Sequence, residues 1–137
     1  MKSNTNQLSF FIMMMLFMNI NNIYSQSPKM QTKAMVNSTK LELIQFHSEH
    51  RCMTCNKIEE LARETLKKHP GIVFKLVNVD DVKNEKMAEQ FEATGTALFL
   101  YNPKTGMKKE LTDFAFMNAM DKKKYIDGLE KEIKMFK

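Results

Sequence analysis

Residues 41–80 read LELIQFHSEHRCMTCNKIEELARETLKKHPGIVFKLVNVD, and three patterns succeed one another within them. Leu41, Leu43, Ile44 and Phe46 form a short, mostly apolar run suited to a buried strand, ending in the polar stretch from His47 to Arg51. From Cys55 onward the apolar positions fall at Ile58, Leu61, Ala62 and Leu66, a spacing that lines one face of a helix with Cys55 at its head. Glu59 precedes Arg63 and Glu64 precedes Lys68 by one helical turn, acid first, the order that supports the wet side of a helix. Lys67, Lys68 and His69 complement the negative end and Pro70-Gly71 stops it, so the helix is expected over residues 52–68. Ile72, Val73, Phe74, Leu76, Val77 and Val79 then make a nearly continuous apolar run, the pattern of a strand buried on both faces in a parallel pair. Strand, helix and strand make a βαβ unit.

Downstream, Asp81 or Asn84 can cap a second helix that buries Met87, Ala88 and Phe91 and ends near Thr94-Gly95. The apolar run at residues 97–101 and the segment 107–111 flank Asn102-Pro103-Lys104-Thr105-Gly106, whose Pro and Gly favour a turn, so an antiparallel hairpin is expected. A last helix should begin near Asp121 and show Tyr125, Ile126, Leu129, Ile133 and Phe136 on one face. The expected order is β α β α β β α, an α/β domain in which a βαβ unit is followed by a helix and a ββα unit around a central mixed sheet.

Upstream, Lys2 precedes a short apolar run at residues 8–20 (LSFFIMMMLFMNI), and Ile23-Tyr24-Ser25 resembles a cleavage site, so residues 1–25 read as an export signal. A spanning helix needs about 20 apolar residues, more than this run supplies before Asn21 and Asn22 close it. Residues 26–39 are polar, carry Pro28 and read as a flexible leader, which leaves residues 40–137 as the folded domain. These features predict an exported, periplasmic or extracellular protein, a monomer with no membrane insertion after cleavage.

The chain of 137 residues is 43% hydrophobic, enough for one core, and its 21 basic and 16 acidic residues give a net charge of +5. Removing the signal takes away one lysine and no acid. Acids and bases are interleaved, as in Lys57-Ile58-Glu59-Glu60 and Lys131-Glu132-Ile133-Lys134. A nucleic-acid groove would concentrate the bases on one face, so no nucleic-acid partner is expected. Five of the thirteen methionines fall in residues 1–18 and the others are scattered at core spacing, unlike a copper-binding thioether cluster.

The chemistry concentrates at Cys52 and Cys55. A CxxC pair at the junction of a strand and a helix, within a βαβ pattern, is the signature of a dithiol redox site. The reactive form of cysteine is the thiolate, which unpaired N–H groups and the dipole at a helix N-terminus favour. Cys52 is so placed, and Arg51 and His50 add positive charge that Glu49 opposes; the net direction is a depressed thiol pKa. Cys55 lies almost one turn further on, where it can resolve a mixed disulfide formed at Cys52. A merely structural disulfide closing so short a loop is worth only about 2 kcal/mol, a poor staple. The competing reading is a zinc or copper module, because His47, His50, Cys52 and Cys55 form H-x2-H-x-C-x2-C, four ligands of the right type. A third is an interaction domain with an incidental disulfide. On the redox reading no cofactor beyond the dithiol is needed, and the partner is a protein dithiol or disulfide, or a reductase.

The order of elements and Arg51-Cys52-Met53-Thr54-Cys55 together resemble the thioredoxin-like superfamily, over residues 41–136. More narrowly, Phe46-His47 before the motif, Ile58-Glu59 after it, and Val77-Asn78-Val79-Asp80 with Asn84 look like the family labelled nitrophenyl-compound nitroreductase subunit ArsF. That resemblance implies a redox accessory role. It also implies that the loop facing the motif, which begins with a cis-proline in ordinary thioredoxins, is here Thr96-Ala97, a substrate-facing loop with a trans peptide. A cis bond before alanine would cost about 3 kcal/mol. Likewise the buried acid of thioredoxins is replaced by Gln45, leaving proton transfer from Cys55 to water, Glu49 or His50.

Overall fold

The computed structural model describes residues 40–136, so the expected signal and leader lie outside the described residues. Four strands form one mixed sheet: β1 (Leu41–His47), β2 (Ile72–Asn78), β3 (Ala97–Asn102) and β4 (Met107–Glu110). Their order is β2-β1-β3-β4, with β1 parallel to β2 and antiparallel to β3, and β3 antiparallel to β4. The helices are α1 (Met53–Leu66), α2 (Glu85–Phe91), α3 (Thr112–Asn118) and α4 (Lys122–Phe136).

Strand β1 is hydrogen-bonded on both edges, and helices cover both sides of the sheet, so both of its faces are core. Leu43 faces a cluster built with Ile58, Leu61 and Ala62 of α1, Ala115 of α3, and Tyr125, Leu129 and Ile133 of α4. Ile44 and Phe46 face the opposite cluster with Val77, Phe91, Phe99 and Tyr101. In that second cluster the rings of Phe46, Phe91 and Phe99 meet in tilted and edge-on pairs with centroids 5.1–5.9 Å apart, a geometry worth about 0.5–1.5 kcal/mol per pair beyond area burial. The result is three layers, with α2 on one side of the sheet and α1, α3 and α4 on the other.

Helix α1 keeps its expected apolar stripe, with Cys55, Ile58, Leu61, Ala62 and Leu66 buried and Thr65 joining them by bonding its hydroxyl to Leu61 O at 2.8 Å. Of its two expected surface pairs, Glu59–Arg63 forms at 2.7 Å. Glu64–Lys68 does not: α4 packs alongside and supplies competing partners, Lys122 for Glu64 at 2.6 Å and Glu130 for Lys68 at 3.1 Å. The Lys122 contact holds the Glu64 carboxyl below its ordinary pKa.

Three other elements depart from the sequence reading. Strand β2 is an edge strand among the described residues, not a strand buried on both faces; Ile72 and Val77 are buried but Leu76 is 37% exposed. Helix α2 stops at Phe91, short of Thr94-Gly95, because Glu92 adopts a left-handed conformation and its N–H closes onto Ala88 O and Glu89 O. Within it Ala88 and Phe91 are buried and Met87 is only partly so. A one-turn 3-10 helix, Val82–Asn84, precedes it; the Asp81 carboxylate caps that turn by accepting from Lys83 N–H, while Asn84 makes no side-chain cap. Finally, α3 stands between the hairpin and α4, where no separate helix is expected. It is only seven residues long, and Ala115 is its one buried residue, so its apolar periodicity is too brief to register.

The hairpin turn is as expected: Gly106 takes a positive φ of 73° and donates to Asn102 O at 2.9 Å. In α4, Tyr125, Leu129 and Ile133 are buried as expected, with Ile126 and Phe136 only partly so. Asp121 accepts from Lys124 N–H at 3.0 Å and caps the helix. Tyr125 is the largest wholly buried side chain, its hydroxyl 3.4 Å from Ile58 O, and burial pushes its phenol pKa up. That bond is long, so packing of the ring is what matters. Tyr125→Ala is expected to lose about 3–5 kcal/mol of stability, and Tyr125→Phe about 1 kcal/mol or less, as read by urea denaturation.

Candidate active site

Parallel strands β1 and β2 end at the same edge of the sheet, and the loop that follows β1 is tied there. His47 accepts from Val79 N–H at 2.9 Å. Asp80, just beyond β2, accepts from Glu49 N–H at 2.6 Å. Asn78 holds that turn from below, its Oδ1 accepting from Asp80 N–H at 3.0 Å and its carbonyl from Asn84 Nδ2 at 2.8 Å. Asn78, Asp80 and Asn84 are thus a brace for the segment that delivers the chain to Cys52.

Cys52 is the N-cap of α1. Its backbone is extended, its carbonyl accepts the first helical bond from Asn56 N–H at 3.1 Å, and its sulfur accepts from Cys55 N–H at 3.2 Å. The sulfur occupies the place that a capping oxygen usually takes. Cys52 and Cys55 are joined as a disulfide, their Cα atoms 5.2 Å apart. Cys52 is exposed, whereas Cys55 is 5% exposed at the head of the buried stripe.

Gln45 is wholly buried behind Cys55 and donates its Nε2–H to Cys55 O at 2.9 Å; its Oε1 is buried without a partner. Thr96, in the loop before β3, places Oγ1 3.2 Å from Cys55 Sγ. The Thr96-Ala97 loop meets the motif through Thr96 and the buried Cys55 sulfur. The Thr96–Ala97 peptide is trans, and Ala97 is buried beside Phe46.

An extended parallel pair crossing over through a helix, an antiparallel hairpin added to its other edge, and a dithiol capping that helix opposite the hairpin's first strand together decide the architecture. The fold is thioredoxin-like. No protein-family model matches the chain, and no curated protein matches it either. Among solved structures it is similar to thioredoxin from Fasciola hepatica, at 23% identity over 53% of this chain and 66% of that one, with a TM-score of 0.43. It is also similar to thioredoxin O2 from Arabidopsis thaliana in its oxidised state, at 18% identity over 53% of this chain and 62% of that one, TM-score 0.44. A third is thioredoxin f2 from Chlamydomonas reinhardtii, at 18% identity over 61% of this chain and 82% of that one, TM-score 0.44. The chain spans less than two thirds of the first two.

The charged residues expected near the thiols are arranged differently from one another. Arg51 lies 2.6 Å from Glu59 across the first turns of α1, so the field it presents to Cys52 is that of an ion pair. His50 is exposed, and its carbonyl accepts from Ser48 Oγ at 3.2 Å. His47 ends β1, its Nδ1 2.8 Å from Ser48 O. Among the described residues, no group of three or more His, Cys, Asp and Glu side chains is arranged to hold a metal ion. Both thiols of the four-ligand alternative are engaged with each other.

Two residues here escaped the sequence reading. Asp80, noted in the sequence as part of a family resemblance, holds the loop before Cys52; its position just past a strand parallel to β1 is the signal that could have found it. Glu59 was assigned to Arg63 alone, and it also binds Arg51. Partial burial works against its charge, but hydrogen bonds from Arg63 and Arg51 outweigh that and hold its carboxyl below the usual range. A depressed carboxylate stabilises the fold above its unfolded pKa, and that contribution fades as pH falls through the folded value. Glu59→Gln is therefore expected to cost about 1 kcal/mol near neutral pH, with the difference from the parent protein vanishing in strong acid, as measured by denaturation at a series of pH values.

Proposed function

We propose that this protein is a thiol–disulfide redox protein in which Cys52 is the attacking thiol and Cys55 the resolving one. The observation that carries the reading is the division of exposure across a helix terminus: Cys52 caps α1 in the open while Cys55 lies buried one turn in. In the reduced protein the Cys55 N–H that now meets the Cys52 sulfur favours its thiolate, so Cys52 is the thiol that meets a partner. A mixed disulfide at Cys52 leaves Cys55 on its inner side, where it displaces the partner and restores the internal bond. Both steps exchange one S–S bond for another, with two electrons passing between the protein and a partner dithiol or disulfide.

The finer reading is an exported electron-transfer accessory to a reductase, as the resemblance to the ArsF family implies. It is supported by the apolar run at residues 8–20 and by the role of Asn78, Asp80 and Asn84, quoted for that resemblance, in bracing the loop before Cys52. On this reading the exported protein begins at Gln26, which N-terminal sequencing of material recovered outside the cytoplasm tests.

Cys52→Ala is expected to abolish reduction of a model disulfide. Cys55→Ala should instead accumulate mixed disulfides, because the attacking thiolate stays while the resolving one is gone. Non-reducing gels and mass spectrometry of the adducts distinguish the two. Equal alkylation rates for the two thiols of the reduced protein at neutral pH would overturn the assignment.

A further inference from the structure

Thr96 belongs to the loop expected to face a substrate, yet its hydroxyl lies against the buried sulfur, Oγ1 to Cys55 Sγ 3.2 Å. Cys55 is half of the disulfide, so its sulfur has no proton to offer and the hydroxyl is the donor. A disulfide sulfur is a weak acceptor, whereas a thiolate makes a charge-assisted bond of roughly twice the strength. The contact therefore strengthens when the Cys52–Cys55 bond breaks.

The surroundings offer little competition. Gln45 approaches from β1 as a neutral amide and bonds the Cys55 carbonyl. Along α1, Arg51 from before the helix and Arg63 from its last turn both close onto Glu59. At the strand ends, His47 contacts Ser48 O and Asp80 holds Glu49 N–H. From α4, Tyr125 reaches Ile58 O. Among the described residues none of these side chains hydrogen-bonds to either sulfur.

We propose that Thr96 is a catalytic hydrogen-bond donor that stabilises Cys55 as the leaving thiolate when the disulfide is reduced; the inference rests on the thiol–disulfide reading above. A thiolate of a dithiol reductant attacks Cys52 Sγ and forms a new S–S bond there as the Cys52–Cys55 bond breaks. The electron pair of the broken bond stays on Cys55 Sγ, which the Thr96 O–H meets, and the sulfur later takes a proton from solvent. The second thiolate of the reductant then displaces Cys52, leaving the protein reduced and the reductant oxidised to its disulfide. In the opposite direction the same contact keeps Cys55 ionised as the resolving nucleophile.

The test titrates Cys55 by thiolate absorbance in a Cys52→Ser protein, where it is the sole cysteine of the chain. Adding Thr96→Val or Thr96→Ala is expected to raise the Cys55 pKa by about one unit, while Thr96→Ser leaves it nearly unchanged. With both cysteines present, Thr96→Val should slow reduction by dithiothreitol about threefold, as a poorer leaving group requires, and Thr96→Ser should restore the rate. Two variants guard against misfolding, since Thr96→Ala keeps the loop if the valine does not fit. A Cys55 pKa unmoved by both substitutions overturns the role of Thr96 and leaves the redox reading standing. A folded parent protein whose disulfide resists dithiothreitol overturns the redox reading, and the Cys55 titration still reads the hydroxyl.

Discussion

Strand β1 is bonded on both edges and buried on both faces, and that single constraint places everything else. A strand so enclosed is apolar toward both layers, with Gln45 and Glu42 its buried polar exceptions, and it ends beside its parallel neighbour, where the chain passes to the helix that crosses back over the sheet. The turn from His47 to Cys52 is therefore fixed at both ends, by the strand behind it and by the helix in front. Backbone and carboxylate bonds from Val79 and Asp80 of the neighbouring strand's exit close it from the side. A cysteine at the end of such a turn is held at the helix terminus by the architecture as much as by its own contacts.

Much of this was legible in the sequence because it rests on short-range patterning. The enclosed strand at residues 41–47, the stripe from Cys55 to Leu66 and the face of Tyr125, Leu129 and Ile133 all repeat often enough to be recognised, and each element lies within a few residues of where periodicity puts it. The approach of Thr96 to the motif follows once the strand order is known. What was not legible depends on which elements become neighbours. Nothing local distinguishes the edge strand β2 from a central one, since Val73, Phe74 and Leu76 are as apolar as a buried strand would be. The pairing of Glu64 follows from where α4 lies, and a left-handed Glu92 ends a helix that glycine three residues later was expected to end.

The site shows the same division. Exposure of Cys52 and burial of Cys55 follow from the helical stripe, because one is the cap and the other its first inward position. The partners of the polar groups do not. Asp80 and Asp81 are adjacent and chemically alike, yet one braces the loop before Cys52 and the other caps a 3-10 turn. Arg51 stands next to Cys52 in sequence, but its guanidinium turns along the helix to Glu59. Sequence adjacency to a thiol is a poor guide to electrostatic influence on it when a partly buried carboxylate two turns away offers a direct, less screened ion pair.

The consequence for the chemistry is that the two sulfurs are surrounded by neutral donors. Cys52 meets a backbone N–H, Cys55 meets a hydroxyl, and the residue behind them is an amide. A buried carboxylate in that position would titrate with the thiols and tie their reactivity to its own charge, since two ionisable groups this close share their protons. Gln45 cannot titrate, and its amide stays neutral whatever the state of the two sulfurs. On the proposed redox reading, the poise of the dithiol rests on fixed dipoles, the helix terminus and the N–H and O–H groups within reach of sulfur, whose interactions strengthen as negative charge develops and need no proton to move first.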